Sequence, residues 1–390
     1  MKKAILFTLS ACCLIYSCST NKEAEDQTAE AAQYKLVKVD SLLIQVSEPL
    51  QITDQHPDNG NFLAYGIASQ KCFELDRNGL VLSEADLSGE GPGRFGKSMS
   101  ELGYLGDTKV INGPNTYLLF DDEWNYQTKL VYDNDGTASY FGYIAGAPLT
   151  VDVAGDPLII RATSQSLFDF KKLEPDHFSS APVATLHATK AKVKAVLNYP
   201  TSSIYQSQDT YYIDHSPLLS FNRQEGLLYM AMPLEQKLYV YDMKQEALVQ
   251  TIDIKLNSFK DPQGIPFADQ GKEPKINGAN ELSRVYQATN SAIKRINSAG
   301  VITIIEHKTG TRQKTGLTNY KVARQRAKEE NKNYTSFIKE GKTIYETEQV
   351  FKRLVRLSEN RFMIENIDKE VERDYNQYDI YELQKVQLTR

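Results

Sequence analysis

A strand–turn–strand pattern recurs six times along this chain of 390 residues, and it constrains the fold more than any other feature. In the first copy, Phe73–Leu82, short strand-like runs stand on both sides of an Asn78-Gly79 turn. Asn or Asp before Gly favours a tight hairpin between two strands. The equivalent positions in the six copies are taken as Asp76, Asp133, His187, Asp242, His307 and Glu382.

The spacing of the six copies predicts one propeller blade for each. Successive equivalent positions lie 57, 54, 55, 65 and 75 residues apart. A four-stranded blade needs about 40–50 residues. We therefore predict an all-β six-bladed β-propeller over residues 34–390, with the alternating run Tyr34–Val46 pairing with the last blade to close the ring. The alternative is a β-sandwich followed by a second β domain.

The segment Lys308–Lys332 breaks the strand pattern. It contains eight basic residues against two acidic ones, a local charge of +6. Tyr320–Lys332 has a helical composition, so we predict a short helical insertion near residues 315–342. Such a run is ordinarily a solvated face. The alternative is a docking surface for an acidic partner, lipid headgroups or an anionic polymer, with candidate contacts at Arg324, Arg326 and Lys328.

The first 18 residues have the composition of an export signal. Lys2 and Lys3 precede an apolar run, Ala4–Tyr16, that is too short to span a bilayer as a helix. Residues 15–18 resemble the end of a bacterial lipoprotein signal, in which the cysteine is acylated after cleavage. We therefore predict a signal peptide over residues 1–17, lipidation of Cys18 and a disordered tether over residues 18–33. Cleavage before Cys12 would leave a signal core of only about five residues.

Export also limits where the protein can be located and which partners it can meet. The lipoprotein resemblance implies a membrane anchor through the N-terminal lipid in the cell envelope. The expected site is the outer membrane, with the propeller facing the periplasm or the cell surface. Loss of Lys2 and Lys3 leaves 43 basic and 50 acidic residues, a formal charge of −7, which argues against a nucleic-acid partner. Cys72 is then the one free thiol, so no intramolecular disulfide is possible.

A glycine-rich loop, Gly89–Phe95, follows the first copy with the sequence Gly-Glu-Gly-Pro-Gly-Arg-Phe. It resembles the Gly-x-Gly-Pro-Gly-x-Phe loop of a large group of six-bladed, TolB-like β-propeller lipoproteins of unknown function from Bacteroidota. That group often has an acidic residue where this chain has Arg94. The resemblance covers nearly the whole chain and implies a propeller and an anchor, but no reaction and no catalytic residue.

The same loop matches the phosphate-loop pattern of nucleotide hydrolases from Gly91 to Ser98. A phosphate loop requires a helix that begins at its Lys-Ser, because the amides of that helix hold the phosphates. Gly103 and Gly106 follow closely and disfavour a helix. We therefore predict a propeller loop rather than a nucleotide site.

The single tryptophan, Trp124, lies near Tyr126 in an acidic stretch. Aromatic faces stack on sugar rings, so Trp124 and Tyr126 are candidate glycan contacts, but packing between blades is the explanation that we favour. The five histidines have no metal-ligand spacing and no nucleophile motif occurs, so we predict no metal, cofactor or catalytic residue.

Two functions of different classes remain. One is a membrane-anchored, non-enzymatic binding or scaffold module with a protein or glycan partner. The other is a propeller hydrolase, lyase or lactonase acting at the channel mouth, which needs three or four Asp, Glu, His or Asn side chains converging at one end of the channel. A plugged channel favours the first function.

Overall fold

The computed structural model describes residues 33–386, except 115, 132–146, 154–155, 163–182, 189–192, 215, 270–274, 277–278, 312–318, 352 and 368–372. Six antiparallel sheets of four strands each form the six blades of a β-propeller, as the repeat predicts. The N-terminal strand, β1 (Gln33–Ile44), belongs to the last blade.

The first three blades follow β1 in chain order, each running from its innermost to its outermost strand. Blade one comprises β2 (Leu50–Gln55), β3 (Phe62–Gly66), β4 (Cys72–Leu75) and β5 (Val81–Ala85). Blade two comprises β6 (Glu101–Leu105), β7 (Thr108–Gly113), β8 (Thr116–Phe120) and β9 (Tyr126–Val131). Blade three comprises β10 (Leu149–Val153), β11 (Asp156–Ala162), β12 (Val183–His187) and β13 (Val193–Leu197).

The other three blades are interrupted by short paired strands and two helices. A short strand, β14 (Thr210–Tyr211), precedes blade four, which comprises β15 (Leu218–Asn222), β16 (Leu227–Ala231), β17 (Lys237–Asp242) and β18 (Ala247–Asp253). Next come β19 (Ile265–Pro266), which pairs with β14, the pair β20 (Lys275–Ile276) and β21 (Ala279–Asn280), and α1 (Glu281–Thr289). Blade five comprises β22 (Ala292–Ala299), β23 (Ile302–Lys308), β24 (Asn333–Lys339) and β25 (Lys342–Thr347), with α2 (Tyr320–Glu330) between β23 and β24. Blade six comprises β26 (Val355–Arg356), β27 (Arg361–Glu365), β28 (Asn376–Val386) and β1.

The ring is closed by β1, and this prediction is confirmed. β1 is the outermost strand of blade six and pairs antiparallel with β28, from Gln33 opposite Val386 to Ile44 opposite Asn376. Ile44 is fully buried, and the side-chain amide of Asn376 donates to the backbone carbonyls just after β1. The first strand of the described chain therefore holds its last blade together.

The repeat assignment is correct in four copies and wrong in two. Asp76, His187, Asp242 and Glu382 all lie at or beside the third strand of a blade. His307 lies in β23, a second strand, and the third strand of blade two ends at Asp121 rather than near Asp133, which follows β9 and lies outside the described residues. The second, third and fourth strands of a blade all show the same alternation of apolar and polar residues. The sequence pattern therefore did not show which strand of its blade each copy represents.

The predicted helical insertion exists but is shorter than residues 315–342. α2 lies within those bounds, whereas residues from Asn333 onward form β24 and β25, two strands of blade five. Thr335–Ile338 is fully buried in that blade, so the insertion ends before Asn333. The other helix, α1, was not predicted, and Glu281 at its start accepts a hydrogen bond from the Tyr320 backbone N–H (3.1 Å).

Candidate functional site

The propeller has two unlike faces. Because consecutive strands run in opposite directions, the connections between blades and those between the second and third strands meet at one face. That face, the long-loop face, carries the described residues within 86–100, 198–217, 254–291, 309–332 and 348–354. The opposite face, the hairpin face, has short turns such as 76–80 and 121–125. β1 begins at the hairpin face, since Gln33 pairs with Val386 at the end of β28.

An ion pair crosses the central channel close to the hairpin face. Arg223, just after the innermost strand of blade four, donates to both carboxylate oxygens of Asp54 in the innermost strand of blade one, at 2.8 and 3.2 Å. Blades one and four stand opposite each other in a six-membered ring, so the bond spans the channel. Asp54 also accepts from the Tyr104 N–H at 2.8 Å. A bidentate pair therefore bridges the channel at this end.

Other polar contacts join neighbouring inner strands. Thr150 donates to the Tyr104 carbonyl at 2.7 Å and links blades two and three. Ser220 accepts from the Ser298 N–H at 2.8 Å and links blades four and five. Arg356 donates to the side chain and the carbonyl of Asn297, at 2.8 and 2.9 Å, and links blades five and six. The inner ring is thus held by structural hydrogen bonds.

A cleft of about 400 Å³ opens on the long-loop face between blades five and six. Its buried floor includes Phe351 and Ile364, and its rim carries Val350 and Ile367, which are 42% and 51% exposed. Polar side chains complete the lining, namely Gln349, Glu365, Asn366, Asp379 and Tyr381. Apolar and polar groups that converge in a concave site of this size are typical of ligand pockets.

The two carboxylates of the cleft are held by cations. Asp379 forms an ion pair with Lys38 of β1 (2.7 Å) and accepts from Ser41 and Asn366. Burial alone would raise the pKa of Asp379, but these donors together lower it below its ordinary value. Glu365 accepts from Arg353 at 2.5 Å. The lining is therefore close to neutral, which suits a ligand with hydroxyl or amide groups better than a simple ion.

Trp124 and Tyr126 lie at the turn between the third and fourth strands of blade two. The Trp124 indole is only 8% exposed, donates from Nε1 to Ser83 (3.0 Å) and lies under the Lys109 ammonium. Tyr126 is 37% exposed and packs edge-on against Phe120. Trp124 thus packs between blades one and two, and its indole face is not an open platform for a sugar ring.

Lys109, over the Trp124 ring, belongs to a polar network that the sequence did not reveal. Lys109 is 1% exposed, forms an ion pair with Glu74 (2.9 Å) and donates to the Asp122 carbonyl. Glu74 also accepts from Asn61 (3.1 Å) and Tyr104 (3.3 Å). Burial tends to raise the pKa of Glu74, but Lys109 and the other donors outweigh it and lower that pKa. The network ties blade one to blade two.

The basic candidates lie on α2 at the long-loop face. Arg324 and Lys328 are exposed, whereas Arg326 is half-buried and forms an ion pair with Glu330 (2.6 Å). α2 begins after Asn319, whose side chain accepts from the Val322 N–H (3.2 Å), and it buries Ala323. The structure brings these residues together on one helix, and none of them lines the cleft.

The glycine-rich loop packs into the wedge between blades one and two. Phe95 is buried there beside Trp124, and Arg94 donates to the carbonyls of Asp86 and Ser88, which closes the base of the loop. After Ser98 the chain enters the strand β6, so the helix that a phosphate loop requires is missing at this position. The loop is therefore a structural element of the propeller.

Gly93→Val is expected to destabilise the protein far more than Gly96→Val. Both glycines have positive φ, +70° and +83°. A Cβ on Gly93 would lie 2.9 Å from Tyr126 Cβ, whereas a Cβ on Gly96 meets nothing within 4 Å. Backbone strain therefore affects both variants, and overpacking adds about 1–3 kcal/mol only to Gly93→Val. Urea unfolding measures the difference in unfolding free energy between the two variants, and equal losses would contradict the placement of the loop. Lys97→Ala should leave the unfolding free energy nearly unchanged.

Cys72 is fully buried, and burial raises the pKa of its thiol well above the ordinary value. Among the described residues, no three His, Cys, Asp or Glu side chains form a group able to hold a metal ion. None of the helices in the same part of the chain is long and apolar enough to cross a bilayer. Cys18 lies outside the described residues.

Solved structures are similar to this chain at low sequence identity. A member of the DUF4221 family from Bacteroides vulgatus is 10% identical with a TM-score of 0.62, over 92% of this chain and 100% of that chain. A candidate exported protein from Bacteroides fragilis is 9% identical with a TM-score of 0.48, over 92% of this chain and 96% of the other. No family model matches the sequence, and no curated protein matches it. The first similarity supports the propeller fold and carries no activity with it.

Proposed function

We propose that the protein is a cell-envelope lipoprotein whose propeller acts as a non-enzymatic binding module. The observation that carries this proposal is the Arg223–Asp54 pair across the channel. A propeller enzyme of the hydrolase, lyase or lactonase type needs acidic or basic groups free to meet a substrate at the channel mouth. Here the channel carboxylate Asp54 is engaged in four hydrogen bonds at the hairpin end.

Binding is assigned to the long-loop face. The cleft between blades five and six lies there, and its neutral, partly apolar lining suits a peptide or a glycan segment. The chain enters the propeller at the opposite face, where β1 begins. We place the anchor in the outer membrane.

Crosslinking in cells tests the binding face. A photo-reactive phenylalanine analogue is placed at Val350 or Ile367 on the cleft rim, and the control position is Leu80, which is 66% exposed at the hairpin face. We expect a discrete adduct from both rim positions and none from Leu80. Adducts of the same mass and yield from all three positions, or adducts from Leu80 alone, would refute a binding site at the cleft.

Cys18→Ser is expected to release the protein from the membrane fraction. Lipid attachment needs the Cys18 thiol, and one acyl chain binds membranes only marginally whereas several bind firmly. Fractionation and mass spectrometry of the N-terminus measure the result, with Cys12→Ser as the matched control that should remain anchored. Acyl groups on Cys12 in the Cys18→Ser protein would show that the lipid site is elsewhere.

A further inference from the structure

Three exposed cations form a stripe along one side of α2. Lys321, Arg324 and Lys328 have the spacing i, i+3 and i+7, which places them on one face of the helix. At 1.5 Å per residue the stripe is about 10 Å long. The buried residue Ala323 lies on another side, so the stripe points away from the propeller.

The charge of this cation stripe is not neutralised within the described residues. None of its three side chains has a hydrogen-bond or ion-pair partner there, whereas the acids of the helix are already engaged. Glu330 accepts from Arg326 and Glu329 accepts from Gln325, both at 2.6 Å. Three positive charges therefore remain available in a protein that is acidic overall.

α2 is fixed at both ends, so the stripe is preorganised. At its start the Tyr320 N–H donates to Glu281, and Asn319 caps the first turn. At its end the Asn331 side chain donates to the Ala288 carbonyl of α1 (3.1 Å). A charged surface on a tethered helix loses little conformational entropy on binding.

We propose that the cation stripe binds an acidic polypeptide segment of a partner protein. The stripe lies on the convex side of a helix, and small ligands need concave sites, so the partner is a macromolecule. A neutral glycan would require an exposed aromatic platform, but the Arg284 guanidinium covers the Tyr320 ring at 5.7 Å. A membrane surface would require several exposed apolar residues or a cluster of about 4–8 basic ones. In α2 only Val322 is exposed among the apolar side chains, and the stripe has three cations.

This inference rests on the proposed binding role but uses residues that do not line the cleft. A failure of the stripe in the test below can therefore be distinguished from a failure of the cleft in the crosslinking test. The test measures fluorescence anisotropy of a labelled decapeptide of alternating glutamate and serine with the mature chain carrying Cys18→Ser. We expect Lys321→Glu/Arg324→Glu/Lys328→Glu to weaken binding about tenfold or more, because three attractions become repulsions. The Gln triple variant should fall in between, and raising the salt from about 50 to 300 mM should weaken the wild type.

The control variant reverses three exposed lysines elsewhere, Lys129→Glu/Lys244→Glu/Lys385→Glu, and has the same net charge. It should lose less than about threefold in affinity, because long-range attraction is screened. An equal loss in both variants would overturn the proposal, and so would no binding of the peptide at all. Stripe-dependent binding of alginate or of vesicles with phosphatidylglycerol, without binding of the peptide, would show that the partner class is wrong.

Discussion

Deletion of residues 33–44 is expected to abolish the cooperative unfolding transition of the propeller. These residues form β1, the outermost strand of blade six, which pairs with β28 along its whole length. The deletion exposes the surface that Leu42 and Ile44 bury, worth about 1.5–3 kcal/mol each, and leaves the edge of β28 unpaired. A typical domain is stable by only about 5–15 kcal/mol, so the lost burial together with the lost main-chain hydrogen bonds to β28 removes a large part of that margin.

Calorimetry and urea unfolding measure this effect. The matched control is deletion of residues 19–32, the predicted tether, which should leave the transition unchanged. A synthetic peptide of residues 33–47, added in trans, should restore the transition, because strand addition supplies the same main-chain hydrogen bonds. A truncated protein that unfolds cooperatively at the wild-type urea concentration would contradict closure of the ring by β1.

Lys109→Met is expected to cost about 3–5 kcal/mol of unfolding free energy, because removing one partner of a buried ion pair leaves the other charge uncompensated. Lys109 is the ion-pair partner of Glu74 and lies over Trp124 at 4.8 Å. The matched control is Lys71→Met, which breaks an exposed pair with Glu84 and should have no measurable effect. Adding Glu74→Gln to Lys109→Met should restore part of the loss.

The cost of Lys109→Met should depend on pH. In the wild type the folded pKa of Glu74 is below its unfolded value, so its stabilisation is present above that value and is lost as the pH falls. Without Lys109, burial is less opposed and the folded pKa rises, so protonation of Glu74 relieves the variant in acid. The deficit measured by urea unfolding should therefore be largest near pH 7 and shrink towards pH 4. A constant deficit, or a loss below about 1 kcal/mol at pH 7, would contradict the assigned pairing.

Local patterns predicted the parts of the fold that depend on neighbouring residues. Alternation identified the strand that becomes β1, and the composition of Tyr320–Lys332 identified α2. Composition gave the wrong end for the helical insertion, because a strand follows the helix closely. The charged residues around Asn333–Lys339 concealed the buried face of β24. Asp76, Asp121 and Asp242 show what the repeat shares, because each accepts backbone N–H groups in the turn after a third strand.

The candidate site depends on contacts that are remote in sequence. Asp54 and Arg223 are 169 positions apart, and Lys38 meets Asp379 only because β1 closes the ring. No spacing rule links such pairs, whose proximity follows from the ring topology. Trp124 packs between blades, as the sequence favoured, but which groups cover it could not be predicted, since the glycine-rich loop and Lys109 pack around it from other parts of the chain.

A double-mutant cycle of Asp54→Ala and Arg223→Ala tests the central claim most directly. That claim is that this pair joins opposite blades across the channel and stabilises the fold. Separated, independent sites give additive losses within about 0.3–0.5 kcal/mol, whereas residues in contact couple by about 0.5–3 kcal/mol. The bidentate geometry, with bonds of 2.8 and 3.2 Å, predicts a coupling of at least about 1 kcal/mol in urea unfolding. Losses of unfolding free energy that simply add would contradict the Asp54–Arg223 link across the channel. The assignment of binding to the long-loop face would then lose its main support.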